Sequence, residues 1–224
     1  RGIVFVPTGS PTYDYYGADR HGANLFGTSL VALDARTGKR LWHFQLVHHD
    51  LWDFDTSSAP QLTTIRHGGT TRDVVALAGK TGFLYVFDRE TGEPIWPIEE
   101  RPVPVSGMPG EKSWPTQPFP TDPPPFSRQT FSEDDITPSA NITPEERAAF
   151  RARVRGARNL GMFTPIDFVD TVPLPGSNGG ALFGTTAAEP DRGIVYVIGQ
   201  ANPGILRLLR PGEGRGGPAA SPGQ

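Results

Sequence analysis

The chain has 224 residues, and 21 Lys+Arg against 24 Asp+Glu give it a formal net charge of −3. This balance argues against a nucleic-acid surface, which needs a basic patch or stripe. Cysteine is absent, which excludes disulfides, thiolate metal sites and a cysteine nucleophile, and no apolar run approaches the roughly 18 residues that cross a bilayer.

The chain begins in a predicted strand, at residues 2–6, and ends in a segment rich in Gly, Pro, Ala and Ser at 211–224. The second composition is typical of a flexible linker. Between these ends, 27 Gly and 24 Pro together with 36% hydrophobic residues favour a turn-rich all-β fold. We expect an internal piece of a larger protein.

A repeat organises the first half. Residues 33–42 and 87–96 share an apolar residue, an Asp-x-x-Thr-Gly sequence, a second apolar residue and a Trp. The Asp side chain can bond the turn backbone, and the Gly supplies a positive φ, so each copy predicts a strand, a turn and a second strand. A period near 50 with a recurrent aromatic is typical of propeller blades. Two unrelated hairpins are the alternative. Further strands are predicted at 74–77, 83–87 and 193–198.

Residues 101–175 are predicted to be a long irregular insertion. Nine prolines within 102–125 exclude central strands there. The predicted organisation is therefore a partial β-propeller of about three or four blades, divided into blades at 1–100, the insertion at 101–175, a further blade at 176–210 and a linker at 211–224.

One helix is predicted inside the insertion, near 143–156. Thr143 is a good N-cap, Pro144 suits the first helical position, and Glu146 completes a capping box. Phe150 and Val154, four positions apart, are the predicted apolar anchor.

Chemically active side chains concentrate at residues 47–53, directly after the first repeat copy. Three interpretations are open. Asp53 is a general base in a site floored by aromatic rings; or His48, His49 and an Asp bind a metal; or the cluster only ties neighbouring loops together. Adjacent residues of a strand point to opposite faces, which weighs against both histidines binding one ion. A polar loop that contains Arg20, His21 and Asn24 either lines a substrate mouth or is plain surface.

The sequence from 41 to 53 resembles the quinoprotein dehydrogenases, eight-bladed propellers that bind pyrroloquinoline quinone (PQQ), and is closest to the membrane-bound glucose dehydrogenase branch. The resemblance covers about residues 1–209. Other segments that carry it are 7–12, 17–20, 78–82, 99–104, 115–119 and 163–165.

The resemblance implies that Asp53 takes the proton from a substrate hydroxyl while hydride passes to the quinone. It implies that Lys80 is the cation beside the reacting quinone oxygens, and that Ca²⁺ polarises the quinone carbonyl. A neighbouring cation keeps such a carboxylate ionised. Without the resemblance, Lys80 is an ordinary turn lysine.

The implied site has further members and some departures. Asp53 and Ser10 are the candidate metal ligands, although alcohol-oxidising relatives carry Asn in place of Ser10. The loop 175–180 resembles a family loop near the quinone, which makes Asn178 a candidate cofactor contact. Trp52 is a second one, with packing in the core as its alternative. Leu182-Phe183 replaces the family's polar residue and Trp.

The leading hypothesis is a fragment of a PQQ-dependent dehydrogenase that oxidises a sugar or other alcohol and passes electrons to a membrane quinone or a cytochrome c. The resemblance implies a periplasmic location or the outer face of the bacterial inner membrane, with any membrane contact through parts outside this chain. A propeller scaffold without cofactor is the alternative, and a hydrolase with paired carboxylates is a weaker one. We expect residues 1–224 alone to be inactive, because three blades cannot close an eight-bladed ring.

Overall fold

The computed structural model describes residues 2–210 and Glu213. Within them the chain forms ten short strands, one α-helix and two 3₁₀ turns, as expected for an all-β chain with one inserted helix. The strands are β1 (Ile3–Pro7), β2 (Ser29–Asp34), β3 (Arg40–Gln45), β4 (Gln61–His67), β5 (Thr70–Ala78), β6 (Leu84–Asp88), β7 (Ile98–Pro102), β8 (Thr116–Pro120), β9 (Thr186–Glu189) and β10 (Ile194–Val197). The helix is α1 (Pro144–Gly156), and the 3₁₀ turns are Glu133–Asp135 and Pro190–Arg192. No helix of the described residues is long and apolar enough to cross a membrane.

The first repeat copy forms a complete hairpin. Strands β1, β2 and β3 make an antiparallel sheet in that order. In the turn between β2 and β3, Asp34 Oδ1 accepts hydrogen bonds from the Arg36 N–H and from the N–H and hydroxyl of Thr37. Gly38 follows with φ +70°. The Asp satisfies the turn donors and the Gly closes the turn, so the predicted strand, turn and strand are all present.

The second copy keeps the turn but loses the second strand. Strands β4, β5 and β6 form an antiparallel sheet in that order, and Asp88 Oδ1 again accepts two turn N–H groups. After the turn the chain makes only an isolated bridge between Phe87 and Pro94. The prediction of a full strand here is wrong: the Ile95 N–H still donates to the Val86 carbonyl at 2.9 Å, but the pairing does not extend into a strand.

Two strands in the proline-rich part escaped prediction. Strands β7 and β8 pair antiparallel as a two-stranded ribbon, so neither is a central strand. The prolines of β8 occupy alternate positions, and the ribbon tolerates them for that reason. Thr121 N–H bonds the Pro97 carbonyl, which places the odd positions of β8 toward β7. The missing N–H groups of Pro118 and Pro120 therefore lie on the free edge.

Helix α1 has the predicted start. The Thr143 side chain accepts the Glu146 N–H, the Glu146 carboxylate accepts the Thr143 N–H, and Pro144 is the first helical residue. Only one of the two predicted anchor residues is buried. Val154 is buried in the core, whereas Phe150 is 48% exposed, because only the last turn of this surface helix reaches the core.

The main core lies between the first two sheets and extends into the insertion. Trp42 and Phe87 pack at 6.0 Å between ring centroids, and Phe163 of the insertion meets the Trp52 ring edge-on at 5.1 Å. The β9–β10 hairpin lies beside β4, where the Gln61 side chain donates to the Thr186 hydroxyl at 3.0 Å. The predicted linker at 211–224 lies outside the described residues, apart from Glu213.

Candidate active site

The turn after β3 is held by the buried carboxylate of Asp50. Its Oδ1 accepts the Trp52 N–H at 2.9 Å, and its Oδ2 accepts the Phe54 N–H at 2.9 Å and the Thr28 hydroxyl at 3.0 Å. Between these fixed points Asp53 takes φ +58°, a left-handed conformation that side chains rarely adopt. Trp52 and Phe54 are buried, so the turn leaves Asp53 as the partly exposed side chain of this segment.

Lys80 lies between two carboxylates. Its Nζ is 2.8 Å from Asp53 Oδ2 and 2.6 Å from Asp55 Oδ2, and its backbone N–H donates to the Asp55 carbonyl at 3.2 Å. The lysine side chain is 9% exposed, whereas the carboxylates are 24% and 26% exposed. Asp53 and Lys80 are therefore in direct contact, while their catalytic roles stay predictions.

Of the three charged side chains, Asp55 and Lys80 form a permanently charged pair, and Asp53 is the one that titrates. Burial raises the pKa of Asp53 to about 6, the Asp55 charge adds to the rise, and Lys80 opposes it. Burial acts the same way on Asp55, but hydrogen bonds from Lys80 and the Ser10 N–H outweigh it and hold the pKa of Asp55 below its ordinary value. The two carboxylates likewise outweigh burial and raise the pKa of Lys80. Asp55 is thus the constant counter-ion of Lys80, and Asp53 exchanges its proton near neutral pH.

The loop at 176–180 packs tightly on Lys80. Gly180 N–H donates to the Lys80 carbonyl at 2.7 Å. Gly179 has φ +72°, and a Cβ there would overlap the Lys80 side chain; a Cβ on Gly180 would lie 2.6 Å from the Gly82 Cα. Glycine is required at both positions by close approach, and at Gly179 also by the backbone conformation. The loop thereby restrains the lysine stem.

Ser10 reaches the same cluster through its backbone. Its N–H donates to Asp55 Oδ1 at 2.6 Å, so one chain of hydrogen bonds runs from Ser10 through Asp55 and Lys80 to Asp53. The Ser10 hydroxyl is buried near the Asp50 carboxylate, outside good hydrogen-bonding geometry.

The two other predicted cofactor residues are placed differently. Trp52 lies in the apolar core, 4% exposed, stacked on Phe54 at 5.9 Å. This packing favours the structural alternative, although its indole Nε1 is buried without a partner among the described residues. Asn178 is exposed in the turn that Gly176 and Gly179 close by a 2.9 Å hydrogen bond. For both residues a cofactor contact stays a prediction.

The adjacent histidines serve different partners. His48 Nε2 is 3.1 Å from Glu100 Oε1, and His49 Nε2 is 2.6 Å from Glu111 Oε1. In the described part of the chain, no group of three or more His, Cys, Asp or Glu side chains is arranged to hold a metal ion. These contacts favour the interpretation in which the histidines tie neighbouring loops together.

The polar loop at 11–24 is braced from within. Arg20 Nη2 donates to the Asp50 carbonyl at 2.6 Å, and Arg20 and Asn24 bond each other through their side chains. His21 is exposed, with Nε2 3.2 Å from the Gly110 carbonyl. Arg20 and Asn24 therefore shape the loop. Further along the chain, Phe183 is 88% exposed and gives the described site no aromatic contact.

Two residues of this region were missed from the sequence. Asp55 is the second partner of Lys80, and its position two residues after Asp53 was the one local signal for it. Glu111, the partner of the buried His49, carried no comparable signal. It lies inside the proline-rich insertion, and only the tertiary fold brings it to this region.

Comparison with known proteins places the chain. The family model "PQQ: Glucose/ethanol/alcohol dehydrogenase, beta-propeller domain" matches residues 1–222. The chain is 36% identical over 196 residues to a quinate/shikimate dehydrogenase (quinone) of Acinetobacter baylyi, 37% over 213 residues to a glycerol dehydrogenase large subunit of Gluconobacter thailandicus, and 32% over 216 residues to a quinoprotein glucose dehydrogenase of Escherichia coli.

These matches cover 87%, 93% and 95% of this chain but only 24%, 28% and 26% of the relatives, so the chain spans about a quarter of their length. Among solved structures, a quinohemoprotein alcohol dehydrogenase from Comamonas testosteroni has TM-score 0.54 at 25% identity, over 90% of this chain and 24% of that one. A europium-containing methanol dehydrogenase, at 22% identity and TM-score 0.55 over 88% and 27%, shares the fold. The four small sheets are thus part of a β-propeller, and the chain belongs to the family of PQQ-dependent glucose, ethanol and alcohol dehydrogenases.

Proposed function

We propose that this chain supplies the Asp53–Lys80 part of the quinone site of a dehydrogenase that oxidises a sugar or another alcohol. The observation that carries the proposal is the Lys80 ammonium, nine-tenths buried and bonded to Asp53 at 2.8 Å and Asp55 at 2.6 Å. Since the chain spans about a quarter of its relatives, the activity belongs to the whole protein.

The residues present fit an anionic quinone and a hard cation. The buried Ser10 hydroxyl and Trp52 indole N–H lack hydrogen-bond partners in the described residues, and the Ser10 N–H bonds the Asp55 carboxylate that contacts Lys80. With both carboxylates ionised, the cluster of Asp53, Asp55 and Lys80 carries one excess negative charge, which suits a cation. Asp53 and Ser10, joined by Asp55, would offer it oxygen donors, and further ligands would come from outside the described residues.

Asp53 has the properties of a general base. Its pKa of about 6 leaves it ionised at neutral pH and still basic enough to accept the proton of a substrate hydroxyl. When bound, PQQ supplies the two-electron acceptor, and Ca²⁺ polarises its reacting carbonyl. Lys80 places a fixed positive charge where negative charge develops on reduction, and Asp55 holds the ammonium in place. The proton taken by Asp53 leaves through solvent at its exposed edge.

Membership of the family supports a proposal for partners and location. We propose a sugar or alcohol substrate, a membrane quinone or a cytochrome c as electron acceptor, and the periplasm or the outer face of the bacterial inner membrane as the location.

Reconstitution tests the proposal. The full-length protein, loaded with PQQ and Ca²⁺, should reduce an artificial dye with aldoses, polyols or alcohols as donors. Its quinone absorbance should change on addition of the active substrate. Quinone binding without turnover on any donor, or no quinone binding at all, would overturn the enzyme assignment and leave a propeller scaffold.

Two glycine variants test the role of Lys80 in quinone binding more specifically. Gly179 and Gly184 both have left-handed backbones, with φ +72° and +76°, but only a Cβ on Gly179 meets Lys80, while Gly184 has open space within 4 Å. Gly179→Ala should displace Lys80 and weaken PQQ binding in equilibrium dialysis, whereas Gly184→Ala carries the same backbone cost and should bind normally. Equal binding by the two variants would show that the lysine has no part in holding the quinone.

A further inference from the structure

A fully buried contact between a histidine and a glutamate joins the insertion to the segment that carries Asp53. His49 Nε2 lies 2.6 Å from Glu111 Oε1, and the two side chains are 0% and 1% exposed. Nothing in the proposed chemistry uses this pair. Removing one partner leaves a buried polar group without its hydrogen bond, which is costly, so the position of this contact indicates a demanding role.

Several hydrogen bonds hold the two side chains in place. Glu111 accepts the Gly17 N–H at 2.6 Å and the Lys112 N–H at 2.8 Å, and its Oε1 lies 2.6 Å from the His49 ring. The other ring nitrogen of His49 faces the Gly22 carbonyl at 2.8 Å, which only accepts, so Nδ1 carries a proton. Both ring nitrogens of His49 and both carboxylate oxygens of Glu111 therefore have partners.

Glu111 is the centre of a longer contact between two loops. The Tyr16 hydroxyl donates to the Pro109 carbonyl at 2.6 Å, and His21 Nε2 lies 3.2 Å from the Gly110 carbonyl. Together with the Gly17 N–H on the Glu111 carboxylate, these bonds fasten residues 16–21 to residues 109–111. The insertion thus fixes the middle of the loop 11–24.

The same loop is attached to the candidate site at both ends. Before it, the Ser10 N–H donates to Asp55. At its far end, the His49 N–H donates to the Ala23 carbonyl at 3.0 Å. Between them lies Tyr15, half-buried, whose pKa is raised by burial first and then by the charge of Asp53, with Asp14 and Asp50 acting alike and Lys80 opposing.

We propose that Glu111 is a positioning residue of the candidate site: it fixes the loop 11–24 as part of the substrate-side wall. The loop follows the Ser10 N–H that bonds Asp55, and its Arg20 bonds the Asp50 carbonyl. The insertion then belongs to the active site. The kinetic consequence rests on the proposed function, while the placement of the loop does not.

The chain offers a matched control. His48 and Glu100 form a second His–Glu contact at 3.1 Å, with side chains 19% and 50% exposed. Glu111→Gln and Glu100→Gln make the same chemical change in the partners of two adjacent histidines, His49 and His48. We would introduce 3-fluorotyrosine at position 15 of the full-length protein and record its ¹⁹F NMR signal without PQQ. Glu111→Gln should move or broaden this signal, and Glu100→Gln should leave it in place.

Steady-state kinetics of the PQQ-loaded variants give the second readout. Glu111→Gln should raise KM about tenfold, equivalent to about 1.4 kcal/mol, while kcat per bound quinone stays at the parent value. A merely structural role would lower the amount of folded enzyme and leave KM unchanged. If no donor is oxidised at all, the proposed function fails, and the ¹⁹F arm still decides whether Glu111 fixes the loop.

A milder variant guards against loss of folding. Tyr16→Phe removes only the exposed hydrogen bond to Pro109 and should shift the ¹⁹F signal in the same sense by less. Should Glu111→Gln not fold, Tyr16→Phe decides alone. An unmoved ¹⁹F signal in the folded variants, or an equal shift in Glu100→Gln, would overturn the proposal.

Discussion

The two repeat copies have the same turn and different surroundings. In both, an Asp carboxylate accepts turn N–H groups and a left-handed glycine follows. Trp42 of the first copy is buried between Phe5 and Phe87, whereas Trp96 of the second is half-buried against His67. A local motif therefore specifies a hairpin, and the packing around it decides how much stability the hairpin contributes.

The copies also differ in the segments that come after them along the chain. The first leads into the turn with Asp53 and Asp55, and the second leads into the β7–β8 ribbon. Lys80, the partner of both carboxylates, lies between the copies in sequence. The candidate chemistry thus belongs to the connections, and the repeats provide the frame that brings them together.

The largest contrast is expected at the tryptophans. Trp42→Ala removes a buried ring from the main core and should cost about 3–5 kcal/mol of unfolding free energy. Trp96→Ala removes a half-buried ring and should cost about 1–2 kcal/mol. Chemical denaturation of the full-length protein measures both. Equal losses would mean that the two copies contribute alike.

The turn glycines should differ next. Gly38 and Gly92 have φ +70° and +77°, but a Cβ on Gly92 would lie 2.5 Å from the Trp42 ring, whereas Gly38 has open space. Gly38→Ala should cost about 1 kcal/mol for its backbone alone. Gly92→Ala adds overpacking of the core and should cost about 3 kcal/mol in total. Similar melting temperatures for the two variants would contradict the packing of the second turn on Trp42.

Asp55→Asn tests the turn that follows the first repeat copy. The Asp55 charge raises the pKa of Asp53, and Asp55 also shares the Lys80 ammonium. Its removal should lower the pKa of Asp53, so the acid limb of kcat/KM should move to lower pH. The pH–rate profile of the PQQ-loaded enzyme measures this. An unmoved limb, or one displaced to higher pH, would show that Asp53 does not govern it.

The smallest effect is expected at the turn carboxylates. Asp34 accepts three hydrogen bonds and Asp88 two, so Asp34→Ala should lower the melting temperature slightly more than Asp88→Ala. The Thr37 hydrogen bonds hold the pKa of Asp34 below its ordinary 3.8. A depressed folded pKa gives stability that is present above the unfolded value and lost as the pH falls through the folded one. The Asp34→Ala deficit should therefore shrink in acid, and a constant deficit would contradict this.

Local signals predicted most of the fold. The Asp-x-x-Thr-Gly turns, the capping box at Thr143 and the apolar runs at 74–77 and 83–87 act over a few residues, and each corresponds to an observed element. The errors arose where tertiary context overrides a local pattern. The second hairpin pairs through an isolated bridge after its turn, and alternating prolines in β8 are harmless on a free edge.

The site was predictable only in part. The resemblance identified Asp53 and Lys80, whose contact depends on the turn that Asp50 holds and on the glycine loop at 176–180. Glu111 required the tertiary structure, because a carboxylate in a proline-rich loop has no periodicity that reveals its burial. Trp52, adjacent to Asp53, points into the core, since neighbouring residues in this turn face different sides.

The central claim is that Asp53 accepts the substrate proton at the quinone site, and Asp53→Asn tests it most directly. Asp14→Asn, an exposed carboxylate of the neighbouring loop, is the control. In anaerobic single-turnover mixing of PQQ-loaded full-length enzyme with substrate, Asp53→Asn should bind PQQ in full and lose about 10²–10⁴-fold in the rate of quinone absorbance change, while Asp14→Asn reacts at the parent rate. An Asp53→Asn enzyme that binds PQQ and reacts at the parent rate would contradict the account.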